Sequence, residues 1–393
     1  MKKPFRRRGL RATLTVAGLG TATLLVTSAV AFAAPHTSSS ATTSSCVSKA
    51  QTGPRMGRIG GIVNARATPR CQSVNKPAIG AAGDTANGTP PLIWHGGPVM
   101  GTASTGPVVI TPIFWNPPGH PMAAGYKSLI TSYLSDVAAA SGSHSNVYST
   151  AAEYSGSDGS IRYQIRMGTP INDTSALPAS GCKLMHKDTS GIYADNSGYS
   201  ACLDDAQVIA QTNSVVSANH LPRNLSHIYV LYLPKGVESC FLAGLTSNAK
   251  NACTINYEPS AAYCAYHSQF GGNTQYANMP YPIYLSKAGF TCGTDVNFPG
   301  VIESPNGNPD ADTEISPTSH EVMEAMTDPD TNTGWYDSSG FENGDECAYI
   351  FGTTSGASGA FYNQTINGHH YLTQEEFSNN SFFQSGGGCL QGE

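Results

Sequence analysis

Ser316-Pro317-Thr318-Ser319-His320-Glu321-Val322-Met323-Glu324-Ala325-Met326-Thr327-Asp328-Pro329 is the stretch whose reading decides the fold. Ser316 has the side chain of an N-cap, and Pro317 suits the first helical position, where a missing N–H costs nothing. Pro329 cannot continue a helix and turns Asp328 away from helical geometry. The spacing predicts about eleven residues of helix between these marks. On that helix residues four apart lie one above the other, so His320 and Glu324 point the same way with Glu321 beside them. This is the layout of the His-Glu-x-x-His metallopeptidase helix, with Glu in place of the second His. His320 and Glu324 are therefore the expected metal ligands, and Glu321 the expected general base acting on a metal-activated water.

A third ligand has to come from elsewhere. Gly340-Phe341-Glu342-Asn343-Gly344-Asp345-Glu346-Cys347 follows the helix closely and offers Glu342, with Asp345 as the alternative ligand or as support for His320. One imidazole and two carboxylates leave room for water, as catalytic zinc sites do, and their hard oxygens also admit Mn²⁺ or Ca²⁺. Zn²⁺ is the expected cofactor. The same residues also have an ordinary reading: Thr318 and Glu321 have capping-box spacing, and acidic residues suit a helix N-terminus in any case. A second acidic pattern, Asn306, Asn308, Asp310, Asp312 and Glu314, places oxygens at alternate positions. Asp328-x-Asp330-x-Asn332 repeats it, so Ca²⁺ is a candidate at these loops, although the EF-hand pattern is not met. No Gly-x-Ser-x-Gly nucleophile motif is present. Trp94-His95, Tyr266-His267 and His369-His370 are further candidates for lining a cleft.

The chain has 393 residues, and residues 1–33 read as an export signal. Lys2, Lys3, Arg6, Arg7, Arg8 and Arg11 precede an Ala/Leu/Val run, and Ala31-Phe32-Ala33 supplies a small-x-small cleavage pattern. The Arg-Arg-Arg start leaves Sec and twin-arginine routes both open. Six of the 21 Lys and Arg lie in that segment and none of the 27 Asp and Glu, so the remainder carries a net charge of −12. With no basic cluster left, nucleic-acid and anionic-membrane partners are not expected. All ten cysteines follow the signal without a Cys-x-x-Cys pair, which favours disulfides over thiolate zinc or redox chemistry. Short loops suggest Cys46–Cys71, Cys182–Cys202 and Cys240–Cys253, with the other four undetermined.

Residues 34–90 are Ser/Thr- and then Gly/Pro-rich and read as a linker or pro-segment. Residues 91–393 form the globular part. Val108–Trp115 and His227–Leu233 are buried-strand candidates, with Pro112 expected to bend or bulge the first. Ile161–Met167, Tyr263–His267, Tyr281–Leu285, Cys347–Gly352 and Phe361–Leu372 are further strands; Tyr126–Ala140 and Asp204–Asn219 are helices. The mixture predicts one large α/β or α+β domain, zincin-like, with a mixed sheet, packed helices and disulfide-stapled loops.

Several segments together resemble the phosphate-induced, EXORDIUM-like family of secreted proteins. They are Ile93-Trp94-His95-Gly96-Gly97-Pro98-Val99-Met100, Val108–Trp115, Thr327-Asp328-Pro329 with Gly334-Trp335-Tyr336, and Glu342 ahead of Cys347. Asn367-Gly368-His369-His370-Tyr371-Leu372-Thr373-Gln374, Ser378-Asn379 and the final Cys389 complete the set. The resemblance spans residues 91–390. It implies an extracellular or cell-wall location and no defined reaction, and the Ser319-His320-Glu321 helix is similar to the family's microbial branch. Two functions are therefore expected. One is a secreted metal-dependent hydrolase, a zinc metallopeptidase acting on peptide or cell-wall substrate. The other is a non-catalytic extracellular binding protein. Nothing in the sequence fixes the oligomeric state.

Overall fold

A computed structural model describes residues 83–182, 200–241, 254, 263–282, 284–285, 290–291, 302–330 and 333–392. Its centre is a mixed sheet whose middle strand, β1, is Val108–Trp115. Two short strands, β2 (Ile165–Met167) and β3 (Ile171–Asp173), pair with β1 in parallel on one side. On the other side β4 (His227–Tyr232) is parallel to β1. Next come β5 (Tyr266–Phe270) and β6 (Thr274–Met279): β6 runs parallel to β4, and β5 closes the edge antiparallel to β6.

Strand alternation divides the apolar side chains between two faces. Val108, Ile110 and Phe114 of β1 and Ile228, Val230 and Tyr232 of β4 pack with helices α1 (Tyr126–Ala139) and α3 (Pro309–Thr327). Ile113, Trp115, Tyr229 and Leu231 pack against Val208, Val215 and Val216 of helix α2 (Asp205–Ala218). The near-continuous apolar runs of β1 and β4 are what a parallel strand covered on both faces requires. The fold is thus mixed α/β, with six helices among the described residues.

Pro112 makes neither the bend nor the bulge expected of it, since β1 pairs with β4 in unbroken register from Val109↔His227 to Phe114↔Tyr232. Val108 donates its N–H to Gln164 and Ile110 accepts from Gly168, so even-numbered residues of β1 face β2 and β3. Pro112 falls between the stretch paired to β2 and the stretch paired to β3, where its missing N–H costs no ladder bond.

The decisive helix is longer than its sequence marks. It begins at Asn308, whose side chain accepts from Ala311 N–H, with Pro309 in the first turn, and it stops before Asp328-Pro329 as expected. Ser316-Pro317 lies inside it. The Ser316 hydroxyl accepts from Gln374 N–H instead of capping, and Thr318 donates to the Glu314 carbonyl, so neither forms a helix start. Asp310, Asp312 and Glu314 of the alternate-residue run accordingly fall in the first turns of α3, behind Asn306 and the Asn308 cap. Asp312 accepts from the Ser304 hydroxyl (2.6 Å) and the Asn306 side chain (2.7 Å), and Asp310 from Lys235.

Other expectations shift too. Strand structure begins at Ile165 rather than Ile161, Cys347–Gly352 is a turn, and Phe361–Leu372 becomes a hairpin, Gln364–Ile366 with His369–Tyr371 around Asn367-Gly368. Cys182–Cys202 is a disulfide, and Cys347–Cys389 pairs two of the four cysteines left open. Cys240 is disulfide-bonded; its expected partner Cys253, the Cys46–Cys71 pair, the expected signal and residues 34–82 of the expected linker lie outside the described residues. Residues 83–90, by contrast, join the globular part through the Asp84–Cys389 bridge and the Gly88 N–H bond to Glu346. No helix among the described residues is long and apolar enough to cross a membrane.

Candidate metal centre

Three elements bring the donors together. Helix α3 supplies His320, Glu321 and Glu324 from its buried C-terminal half. The short helix α4 (Asn343–Glu346) supplies Asp345. It is docked by reciprocal hydrogen bonds between the Asn343 side chain and the Phe377 backbone, and fastened by Cys347–Cys389 just beyond its end. Strand β5 supplies His267. Tyr266 turns to the α2 face, where its hydroxyl meets Asp205, so alternation turns His267 toward α3. Ala277 stands directly across from His267 and leaves space beside the ring.

The donors fall into two sets that share Glu324. In the first, His320 Nε2 lies 2.8 Å from Glu324 Oε1 and 3.7 Å from Asp345 Oδ1. In the second, His267 Nδ1 lies 3.4 Å from Glu321 Oε2 and 3.4 Å from Glu324 Oε2. Donors about 2.1 Å from a tetrahedral zinc stand about 3.4 Å from one another; the two His267 distances match this, and the His320–Glu324 distance is shorter. His267, His320, Glu321 and Glu324 are fully buried, and Asp345 is 6 % exposed. Both nitrogens of His320, Nδ1 of His267, both oxygens of Glu321, Oε2 of Glu324 and Oδ1 of Asp345 have no hydrogen-bond partner. The short His320–Glu324 contact thus has the distance of a hydrogen bond without its direction.

The remaining atoms of the same groups are held by the protein. Asp345 Oδ2 accepts from Glu342 N–H, and Glu324 Oε1 accepts from Asp345 N–H. His267 Nε2 lies 3.0 Å from the Asp328 carbonyl, an acceptor only, so that nitrogen carries the proton and Nδ1 presents its lone pair to the carboxylates. Gly344 lets α4 close on His320, because a Cβ there would stand 2.6 Å from His320 Nδ1.

As protein groups alone these side chains sit uneasily. Burial pushes both histidines down, but the surrounding carboxylates reverse this and hold them well above the ordinary histidine value. Burial raises Glu321 to about 7 against the pull of the two histidines. Glu324, also desolvated, is carried the other way, to about 2, by His320 and His267. Burial, then the charge of Glu324, raises Asp345. Burial likewise raises Glu376, a neighbouring acid near His320.

The expected residues His320, Glu321, Glu324 and Asp345 therefore converge. Glu342, expected as the third ligand, is in neither donor set; it lies 3.7 Å from His267 Nε2. His267 was named in sequence only as one cleft candidate among several. Its signal was faint: in Tyr263–Phe270 a lone imidazole alternates with tyrosine onto the inward face.

Compared with known proteins, the chain matches no family model, no curated protein and no solved structure.

Proposed function

We propose that the protein is a metal-dependent hydrolase with a zincin-like site, a metallopeptidase by the layout of its helix. The observation that carries the reading is the convergence of His320 Nε2, Glu324 Oε1 and Asp345 Oδ1 in a buried site where His320 Nε2 and Asp345 Oδ1 lack hydrogen-bond partners and Glu324 Oε1 accepts from Asp345 N–H. One imidazole and two carboxylates suit Zn²⁺, and Mn²⁺ as well. Held by His320, Glu324 and Asp345, a divalent cation would supply Lewis-acid chemistry, polarising a scissile carbonyl and acidifying water. Glu321, one step round the helix from His320, takes the proton and returns it to the leaving amine.

The resemblance to EXORDIUM-like proteins and the export signal favour an extracellular or cell-wall location and a peptide or cell-wall substrate. A second reading is favoured by the depth of the donors: a non-catalytic extracellular binding protein in which the cation is structural. Hydrolysis of casein or a peptide library by zinc-loaded protein separates the two. Loss of at least about 100-fold in kcat for Glu321→Gln, with zinc retained, is the expected result. Inactive wild type with bound zinc gives the structural reading, and full activity in the variant removes Glu321 as base.

A further inference from the structure

The two donor sets do not describe one ion. Three donors gather on the His320 side and three on the His267 side, and only Glu324 belongs to both, one oxygen facing each histidine. We propose that the site is a two-cation centre: a second divalent cation binds between His267 Nδ1, Glu321 Oε2 and Glu324 Oε2, and Glu324 bridges the pair. This rests on the reading of the His320 side as a cation site and adds to it.

Three observations support it independently of the first position. His267 Nδ1 is a fully buried lone pair 3.4 Å from each of two carboxylate oxygens, with no hydrogen bond to either. Its ring is fixed for ligation through Nδ1, because Nε2–H is spent on the Asp328 carbonyl, the second partner that metal-bound histidines regularly have. Charge points the same way. Glu321, Glu324, Glu342 and Asp345 lie together in the interior. These acids outnumber the two histidines among them, and bound cations offset the excess of buried negative charge.

Carboxylate-bridged cations in hydrolases stand about 3.5–4 Å apart, a spacing one carboxylate spans with its two oxygens. Bound through Oε2, Glu321 keeps Oε1 for the proton it handles in hydrolysis, so the acid–base role survives a second cation. One imidazole and two carboxylates again suit Zn²⁺ or Mn²⁺.

The test is metal content of the full exported chain after loading with Zn²⁺ and dialysis, with His267→Ala and His320→Ala alongside. Two ions per wild-type chain and one in each variant are expected. Loading with Mn²⁺ gives a readout independent of the variants' folding: the wild-type paramagnetic resonance spectrum should show two coupled ions, and His267→Gln an isolated one. A wild-type chain holding a single ion that His267→Ala retains overturns the second position and leaves the first intact. A single ion lost in either variant means that one ion spans both histidines, and overturns it equally. A wild-type chain that binds no ion removes the hydrolase reading as well.

Discussion

The two ends of helix α3 carry the same kind of residue in different company. At the N-terminal end Asp312 is buried, yet hydroxyl, amide and backbone donors from Ser304, Asn306 and Asn308 surround its oxygens, and Asp310 has Lys235. At the C-terminal end Glu321 and Glu324 face imidazole nitrogens and further carboxylates, with a single backbone N–H, that of Asp345, on Glu324. Acidity and burial are shared; the supply of N–H and O–H groups is not. A buried carboxylate surrounded by donors is complete within the protein, and one surrounded by acceptors calls for a cation. Of the alternating oxygens that made this end a calcium candidate, those of Asp310 and Asp312 meet donors, whereas the buried Glu314 keeps one oxygen without a partner.

Substitutions at the two ends should therefore behave differently. Glu324→Ala removes the shared ligand, so zinc affinity measured by competition with a chelator should fall more than about 100-fold, beyond the effect of losing an outer-shell partner. Unaltered affinity would place the cation elsewhere. Gly344→Ala pushes α4 off His320 and should weaken zinc about 10–100-fold, with the circular dichroism spectrum preserved. At the opposite end Asp312→Ala strands several donors. It should lower unfolding free energy in urea by about 1–3 kcal/mol while zinc stoichiometry stays at the wild-type value. A drop in bound zinc there would erase the distinction between the ends.

A third situation is that of Glu375, a buried acid whose Oε2 has no hydrogen-bond partner. Burial, reinforced by Asp84, raises Glu375 to about 9. Because the folded value lies above the unfolded one, near 4.5, folding favours the protonated form. Its stability is complete below pH 4.5 and declines as pH climbs toward 9, by at most about 1.4 kcal/mol per unit. Melting temperature against pH should show that decline in wild type and a shallower one in Glu375→Gln; parallel curves would discount Glu375.

How much of this was legible depends on whether local or tertiary forces decide. The apolar strands β1 and β4 and the helices at 126–139 and 205–218 follow from side-chain period alone, and the Asp328-Pro329 stop is a local steric effect. The start of α3 was misplaced because two helix-start signals compete. Asn308-Pro309 prevails, and packing then holds Pro317 in the interior. Strand β6 was not expected, because its polar Gln275 and Asn278 break the apolar pattern; both are buried, and Asn278 donates to Ser239 only in the folded chain. Among the site residues the helical trio was visible because its geometry is local. That Asp345 rather than Glu342 falls within a donor set was not, since it depends on how α4 docks through Asn343 and Cys347. His267 comes from a distant strand, and no spacing rule links it to His320.

The depth of the donors has a kinetic corollary. With every proposed ligand beneath the surface except the edge of Asp345, an ion leaves only when α4 swings away, an opening restrained by the Cys347–Cys389 link and the Asn343 clamp. Chelators would then strip the protein at the tempo of that local opening, indifferent to chelator concentration once it is high, and a reductant would quicken the clock.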